Sequence, residues 1–416
     1  MNTFSELQLS PALRSNLLKH GFVTPTPVQA ESIPPALNGR DIVATAQTGT
    51  GKTLAFVVPM LQILAQKPAG GIKALILSPT RELAIQINET FTKLAAGTGM
   101  KAAVVVGGLS ESMQLRAINH GAQVLIATPG RLCDFLQRRL VQLGGVQMLV
   151  LDEADRMLDM GFLPSIHLIL KACPHARQTM FFSATIEKSV AHLVESHVKN
   201  PVRVAIGSIS KPVDEVKLHL YQIDQDRKLS LLMHLLKEDA SGSFLVFART
   251  KHGTDRLADN LARAGVKATR IHGNRSQSQR NQALSGFKAG NYRVLVATDV
   301  AARGIHVDGI AHVVNYDLPQ APEDFVHRVG RTARAGALGT ASTFSTRGEM
   351  NDIRKIEKAI KVNLIRCEVS SELQPVTMAA SAPAPWRERI EEKRFTQNRP
   401  AQKRSFRAPA RRRRAA

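Results

Sequence analysis

Cysteine is scarce in this 416-residue chain: Cys133, Cys173 and Cys367 are all there are, and none sits in a C-x-x-C pair. That excludes a disulfide framework and a cysteine-based zinc site. Long apolar runs are missing as well; no stretch approaches the roughly 18–20 residues of a membrane span. The opening MNTFSELQLS has neither a basic n-region nor an apolar h-region, so no secretory signal is read there. Acid is in short supply. Asp and Glu number 34 against 56 Lys and Arg, a net charge of +22. An excess of that size points to a polyanionic partner, either nucleic acid or an acidic membrane surface. Apolar residues make up 44% of the chain, enough for ordinary cores, and the length allows two or three domains. The expectation is a cytoplasmic protein facing nucleic acid, with no membrane role.

Short apolar runs of strand length alternate with helical patterns: Ala74–Leu77, Ala102–Val106, Val124–Ala127 and Met148–Leu151 each precede a polar or glycine-containing turn. Buried parallel strands alternating with helices predict an α/β fold with its active loops at the strand carboxyl ends. The second half repeats the plan. ALILSPTREL (74–83) is echoed by FLVFARTKHG (244–253), VVVGG (104–108) by ATRIHGN (268–274), VLIATPGR (124–131) by VLVATDVAARG (294–304), and MLVLDEAD (148–155) by HVVNYDLP (312–319). Two copies of one domain are therefore expected, 1–206 and 217–370, joined by a short polar linker at 207–216. Residues 371–416 change character: Ala, Pro and Arg dominate, periodicity fades, and twelve basic against four acidic residues give +8. This reads as a disordered basic tail.

Ala46-Gln47-Thr48-Gly49-Thr50-Gly51-Lys52-Thr53 follows the apolar Ile42–Ala44 and leads into a helical pattern. It ends as a P-loop does, although the general pattern opens on glycine. Glycines let backbone N–H groups turn inward around phosphate, Lys52 supplies a charge for the β- and γ-phosphates, and the Thr53 hydroxyl suits Mg²⁺. Downstream, an apolar strand delivers Asp152-Glu153-Ala154-Asp155. Asp152 is positioned to hold Mg²⁺ through water, and Glu153 to take a proton from an attacking water. Asp155 also reads as a helix N-cap.

These residues carry a resemblance. The chain resembles the DEAD-box ATP-dependent RNA helicases, spelled out at 152–155, and within them the bacterial RhlE-like members. The motifs recur in family order from about Phe4 to Phe344. The family's own P-loop form has alanine first, which accounts for Ala46. The resemblance implies two tandem RecA-like domains, ATP and Mg²⁺ as ligands, and RNA-stimulated ATP hydrolysis. That hydrolysis would be coupled to local unwinding of short duplexes or to RNA–protein remodelling, on single-stranded RNA and short duplexes. Residues 21–29 look like the adenine-reading Q motif, with Phe22, Thr24 and Gln29 on the nucleotide. Gln29 has the donor and acceptor for adenine N6 and N7; Phe22 offers a flat face, or simply packs in the core. Ser183-Ala184-Thr185 looks like the coupling motif acting with Asp155, although Ser183 and Thr185 also suit a helix cap. Arg331 and Arg334, in HRVGRTAR, look like arginine fingers, or like contacts to the RNA backbone.

The implied RNA-binding residues are Thr80, Arg81, Gly108, Thr128 and Arg131 in the first half, and Arg280, Thr298, Arg303 and Gly304 in the second. Their hydroxyls, glycines and guanidinium forks suit phosphates and sugars rather than base edges, so binding is expected to ignore sequence. Two positions depart from the family pattern: His306 stands where Asp usually faces the ATP ribose, and Ala333 replaces a glycine. Imidazole still hydrogen-bonds a hydroxyl. In the tail, Trp386, Phe395 and Phe406 interleave with basic residues, which suits either stacking on RNA or a solubilising segment. Rival readings are an ATP-gated RNA clamp or annealing factor, and a different P-loop enzyme such as a DNA translocase or small-molecule kinase. The duplicated domain and the Q motif argue against the last.

Overall fold

Four-residue runs with no polar position, such as Ala74–Leu77 and Val124–Ala127, satisfy a strand buried on both faces, and nothing exposed. The computed structural model bears this out. It describes residues 1–46, 49–65, 70–186, 188–206, 216–302, 307, 309–333, 339–370 and 373–374. The basic tail beyond 374, and nearly all of the expected linker, lie outside the described residues.

Two seven-stranded parallel sheets organise the described residues. The first draws on β1 (Ile42–Thr45), β2 (Ala74–Leu77), β3 (Ala102–Val105), β4 (Val124–Ala127), β5 (Met148–Asp152), β6 (Gln178–Ser183) and β7 (Val202–Ala205), in the order β3-β4-β2-β5-β6-β1-β7. The second draws on β8 (Val216–Gln222), β9 (Phe244–Phe247), β10 (Ala268–Ile271), β11 (Val294–Ala297), β12 (His312–Asn315), β13 (Gly339–Ser345) and β14 (Ile365–Cys367), in the order β10-β11-β9-β12-β13-β8-β14. Adding seven to each number of the first order yields the second. The four sequence echoes fall on the pairs β2/β9, β3/β10, β4/β11 and β5/β12. Strand β8 starts at Val216, the last residue of the expected linker.

Around the first sheet run α1 (Pro11–Lys19), α2 (Pro27–Leu37), α3 (Lys52–Leu64), α4 (Arg81–Ala95), α5 (Glu111–Asn119), α6 (Pro129–Gln137), α7 (Ala154–Asp159), α8 (Leu163–Ala172) and α9 (Lys188–His197). The second sheet carries α10 (Lys228–Glu238), α11 (Lys251–Arg263), α12 (Gln277–Lys288), α13 (Asp299–Ala302), α14 (Pro322–Val329) and α15 (Met350–Ile360). Helix α3 is apolar almost all round and is buried over most of its length, as such a helix must be. Phe56 on it meets Phe182 of β6 at 5.3 Å between ring centres. The first lobe has an apolar core on each face of its sheet, and the second lobe has a core of its own around Leu245, Leu295 and Phe325. Both lobes belong to one compact unit.

Candidate active site

Apart from the Q motif, which precedes β1, every motif singled out in the first lobe follows a strand, so one edge of the sheet collects them. After β1 the chain turns through Gly49 (φ 92°) and Gly51 (φ 85°) into α3. A Cβ at Gly51 would lie 2.4 Å from Gln29 Nε2, so glycine is required there on two counts. Lys52 is buried, and its Nζ donates to the Ala46 carbonyl at 2.8 Å. The Gln29 amide accepts from Thr26 N–H at 2.9 Å, closing a capping box on α2, and donates to the Gly51 carbonyl at 2.9 Å. Thr26 Oγ1 donates to the Thr50 carbonyl at 2.7 Å. The P-loop is thus tied to the Q motif by two side chains. A primary amide keeps a second N–H and a second lone pair for a base. Thr24 is exposed; the hydroxyl that reaches the loop is that of Thr26. Phe22 packs against the core and also lines the cavity beside Lys52 and Thr53. Gln47 and Thr48 lie outside the described residues.

Strand β5 ends in two buried acids. Burial pushes the Asp152 carboxyl up and Lys52 opposes it; Asp152 Oδ1 has no hydrogen-bond partner. Glu153 sits at φ 52°, ψ 52°, a left-handed backbone that costs a non-glycine residue energy. Burial alone would raise its carboxyl. The cations around it, Arg156 first and then Lys52 and Arg331, outweigh burial and hold it ionised. Arg156 Nη1 is 3.2 Å from Glu153 Oε2. Asp155 binds the other way: its Oδ2 accepts from Ala184 N–H (2.9 Å), Thr185 N–H (3.0 Å) and Thr185 Oγ1 (3.4 Å), while its own N–H donates to Ser183 Oγ. Ala46 N–H donates to the Ser183 carbonyl at 2.9 Å. P-loop, acidic motif and Ser-Ala-Thr form one hydrogen-bonded network.

The second lobe faces this network. Arg331 is 2% exposed, with Nε donating to the His327 carbonyl at 3.2 Å. Arg156 of the first lobe lines one small cleft with Phe247, Asp299, His327, Arg328 and Arg331 of the second. Burial, reinforced by Arg156, keeps His327 neutral. Arg328 is buried and fixed by Asp299 at 2.6 and 2.7 Å and by Asn315 at 3.1 Å, over the Phe247 ring. A cavity of ≈ 430 Å³ opens between P-loop, acids and Lys288. Arg303, Gly304, His306 and Arg334 lie outside the described residues.

The expected RNA-facing residues of the first lobe also cluster. Thr80 caps α4 by accepting from Leu83 N–H. The Arg81 guanidinium lies on the Gly107–Gly108 turn, so close that a Cβ at Gly108 would be 2.1 Å from Nη1. Thr128 N–H donates to the Val105 carbonyl, bringing the loop after β4 beside that turn. Arg131 is ion-paired with Asp134 (3.0 Å) and Glu111 (3.4 Å). In the second lobe Thr298 closes β11. Arg280, within reach of the Arg81 charge, is buried and paired across the lobes with Glu82 at 2.9 Å, next to Gln277, which donates to the same carboxylate at 2.9 Å. Sequence reasoning missed Thr26, Glu82 and Arg156. Arg156 had a signal, being adjacent to the acids. Glu82 and Gln277 are 195 positions apart, and no pattern within either half links them.

The comparisons agree with this architecture. Residues 26–193 match the DEAD/DEAH box helicase family and 227–336 the helicase conserved C-terminal domain. The chain is 40% identical over 366 residues to the DEAD-box ATP-dependent RNA helicase CshA of Geobacillus kaustophilus, covering 88% of this chain and 78% of that one. It is 41% identical to the ATP-dependent RNA helicase RhlB of Pseudomonas syringae pv. tomato, covering 88% and 94%. Among solved structures it resembles S. cerevisiae Dbp5 bound to RNA and ADP BeF3 (TM-score 0.81, 30% identity, 88% of this chain and 96% of that one). It also resembles Mss116p bound to single-stranded RNA and AMP-PNP (TM-score 0.83, 27% identity, 95% and 84%). Motif set, duplicated parallel sheets and relatives converge: the chain belongs to the DEAD-box ATP-dependent RNA helicase family.

Proposed function

We propose that this protein hydrolyses ATP in an RNA-stimulated manner and uses the resulting lobe closure to open short RNA duplexes or remodel RNA–protein contacts, largely without regard to sequence. The observation that carries the reading is Glu153. An ionised carboxylate, held in a strained backbone by Arg156 and Lys52 of its own lobe and joined by Arg331 of the other, is a general base whose site is complete only when the lobes meet. A clamp that held ATP without turning it over would need no such group.

Asp152 supports a divalent cation. Its buried Oδ1 lacks a hydrogen-bond partner, and the Thr53 hydroxyl lines the same cavity. A hydrated Mg²⁺ needs only one or two protein ligands; bound with the nucleotide, it neutralises phosphate charge. Lys52 adds charge for the phosphates. Gln29 and Phe22 hold adenine. Arg331, joined by Arg334, stabilises charge on the transferred phosphoryl group, typically worth ~10³–10⁵ in rate. Thr80, Arg81, Gly108, Thr128, Arg131, Thr298, Arg303 and Gly304 grip the RNA backbone. Asp155, Ser183 and Thr185 link that grip to the nucleotide, and Arg280 braces the closed lobes. His306 faces the ribose.

We further infer that the domain bounds follow the two sheets, that the tail binds RNA, and that the protein is cytoplasmic; among the described residues no helix is long and apolar enough to cross a membrane. The relatives named above are CshA and RhlB proteins, so an RhlE-type assignment rests on the sequence motifs alone. The deciding measurement is phosphate release from ATP and from GTP, with and without RNA. ATP turnover that rises with RNA and is not matched by GTP is expected. Turnover indifferent to RNA would sink the helicase reading, and equal use of GTP would sink the role of Gln29.

A further inference from the structure

Helix α5 is largely solvent-facing, and the one side chain it fully buries is polar: Gln114. A buried amide needs partners, and Gln114 has three. Its Oε1 accepts from Val106 N–H at 3.0 Å; its Nε2 donates to the Val106 carbonyl at 3.0 Å and to the Leu109 carbonyl at 3.2 Å. Val106 and Leu109 flank Gly107 and Gly108, so one side chain pins both ends of the turn. On that turn rests the Arg81 guanidinium, close to both glycines. One turn of helix earlier, Glu111 reaches Arg131 at 3.4 Å and Arg138 at 2.6 Å. Helix α5 therefore touches the Gly107–Gly108 turn and, through Glu111, the two arginines at either end of α6.

We propose that Gln114 is a positioning residue for RNA: by pinning the Gly107–Gly108 turn it presets the seat of Arg81, so the groove need not be ordered when RNA arrives. This rests on the reading that RNA lies on this face. It makes no use of the nucleotide site, and none of the Gln114 partners belongs to that site.

The test is RNA-stimulated ATP turnover of the full chain, titrated with single-stranded RNA. Gln114→Leu keeps bulk and loses all three bonds. The half-saturating RNA concentration should rise about tenfold or more, as expected when several hydrogen bonds that hold a turn are lost, while the KM for ATP and the turnover at saturating RNA stay near wild type. Combining Gln114→Leu with Arg81→Ala should be little worse than Arg81→Ala alone, because the two act through one turn. Should Gln114→Leu lose ATP binding through misfolding, Gln114→Glu, which keeps the acceptor for Val106 N–H, carries the same test. An unchanged RNA titration, effects that add with Arg81→Ala, or a KM for ATP that rises in parallel would overturn the inference. Wild-type turnover that ignores RNA overturns the functional reading and this inference with it.

Discussion

Glu153 is charged, buried and wound the wrong way for an L-residue, three costs that the rest of the lobe must outweigh. Arg156 and Lys52 offset the charge. Glu153→Gln keeps the shape and the hydrogen-bonding reach but cannot take the proton of the attacking water. ATP and RNA binding should persist, while phosphate release at saturating RNA falls by roughly 10²-fold or more, the usual worth of a general base; near-normal release would remove Glu153 from the chemistry. At this scale the sequence was most legible where a motif is contiguous. Lys52, Asp152, Glu153 and the Asp155–Ser183–Thr185 cluster meet as expected, because each is fixed by the end of one strand and neighbouring strands bring the ends together. Gln29 was legible only in part. Its residue type advertises base recognition, but the bonds to Thr26 and Gly51 depend on how α2 packs on the P-loop, which no spacing reveals.

Between elements, the contact of α4 with α12 shows the limit of reading each half by itself. Arg280 looked like one more basic residue for RNA, yet its charge is spent on Glu82 of the other lobe. Glu82→Gln leaves Arg280 facing a neutral amide whenever the lobes close, whereas open lobes return it to water. The loss should therefore fall on closure and not on folding. RNA affinity measured with and without a non-hydrolysable ATP analogue should show weaker mutual enhancement, down from a coupling of typically 1–3 kcal/mol, with little change in melting temperature. A second element-scale device sits between β12 and β13. His312 is buried, stacks on Phe244 at 4.7 Å, and pairs through Nε2 with Ser342 Oγ at 2.8 Å. Burial pushes it down to about 4, with Asp239 opposing and His219 reinforcing. Below its ordinary value of about 6.5 the unfolded chain binds a proton that the folded one refuses. Stability should be flat above that pH and fall between about 6.5 and 4, by on the order of 2–3 kcal/mol. Denaturant melts across this range should show a slope in wild type and a shallower one in His312→Gln, the remainder belonging chiefly to His327, which burial also holds neutral.

For the whole molecule, the repeat is the part of the fold that the sequence disclosed best: four echoed segments predict two like domains, and the two strand orders coincide. The tail is the part it can disclose least, since a segment without apolar periodicity specifies charge and little else. Truncation after Ser370 removes twelve basic residues and a net +8. Turnover at saturating RNA should survive. If half of those residues engage phosphate, at about 0.7 per contact, the slope of log affinity against log salt should flatten by about 4; an identical slope in the truncated protein would leave the tail without a role on RNA.

The shared strand order has one more consequence. Where β1 runs into a phosphate loop, its counterpart β8 runs into Ile223, Asp224 and a single turn at Gln225–Arg227. The second copy has the scaffold without that loop, and it brings Arg331 to the acids of the first. Chemistry in this chain is therefore bimolecular in character, a reaction between two neighbouring bodies that a few residues of chain hold at high effective concentration. On the proposed function, RNA raises turnover by changing how often they meet.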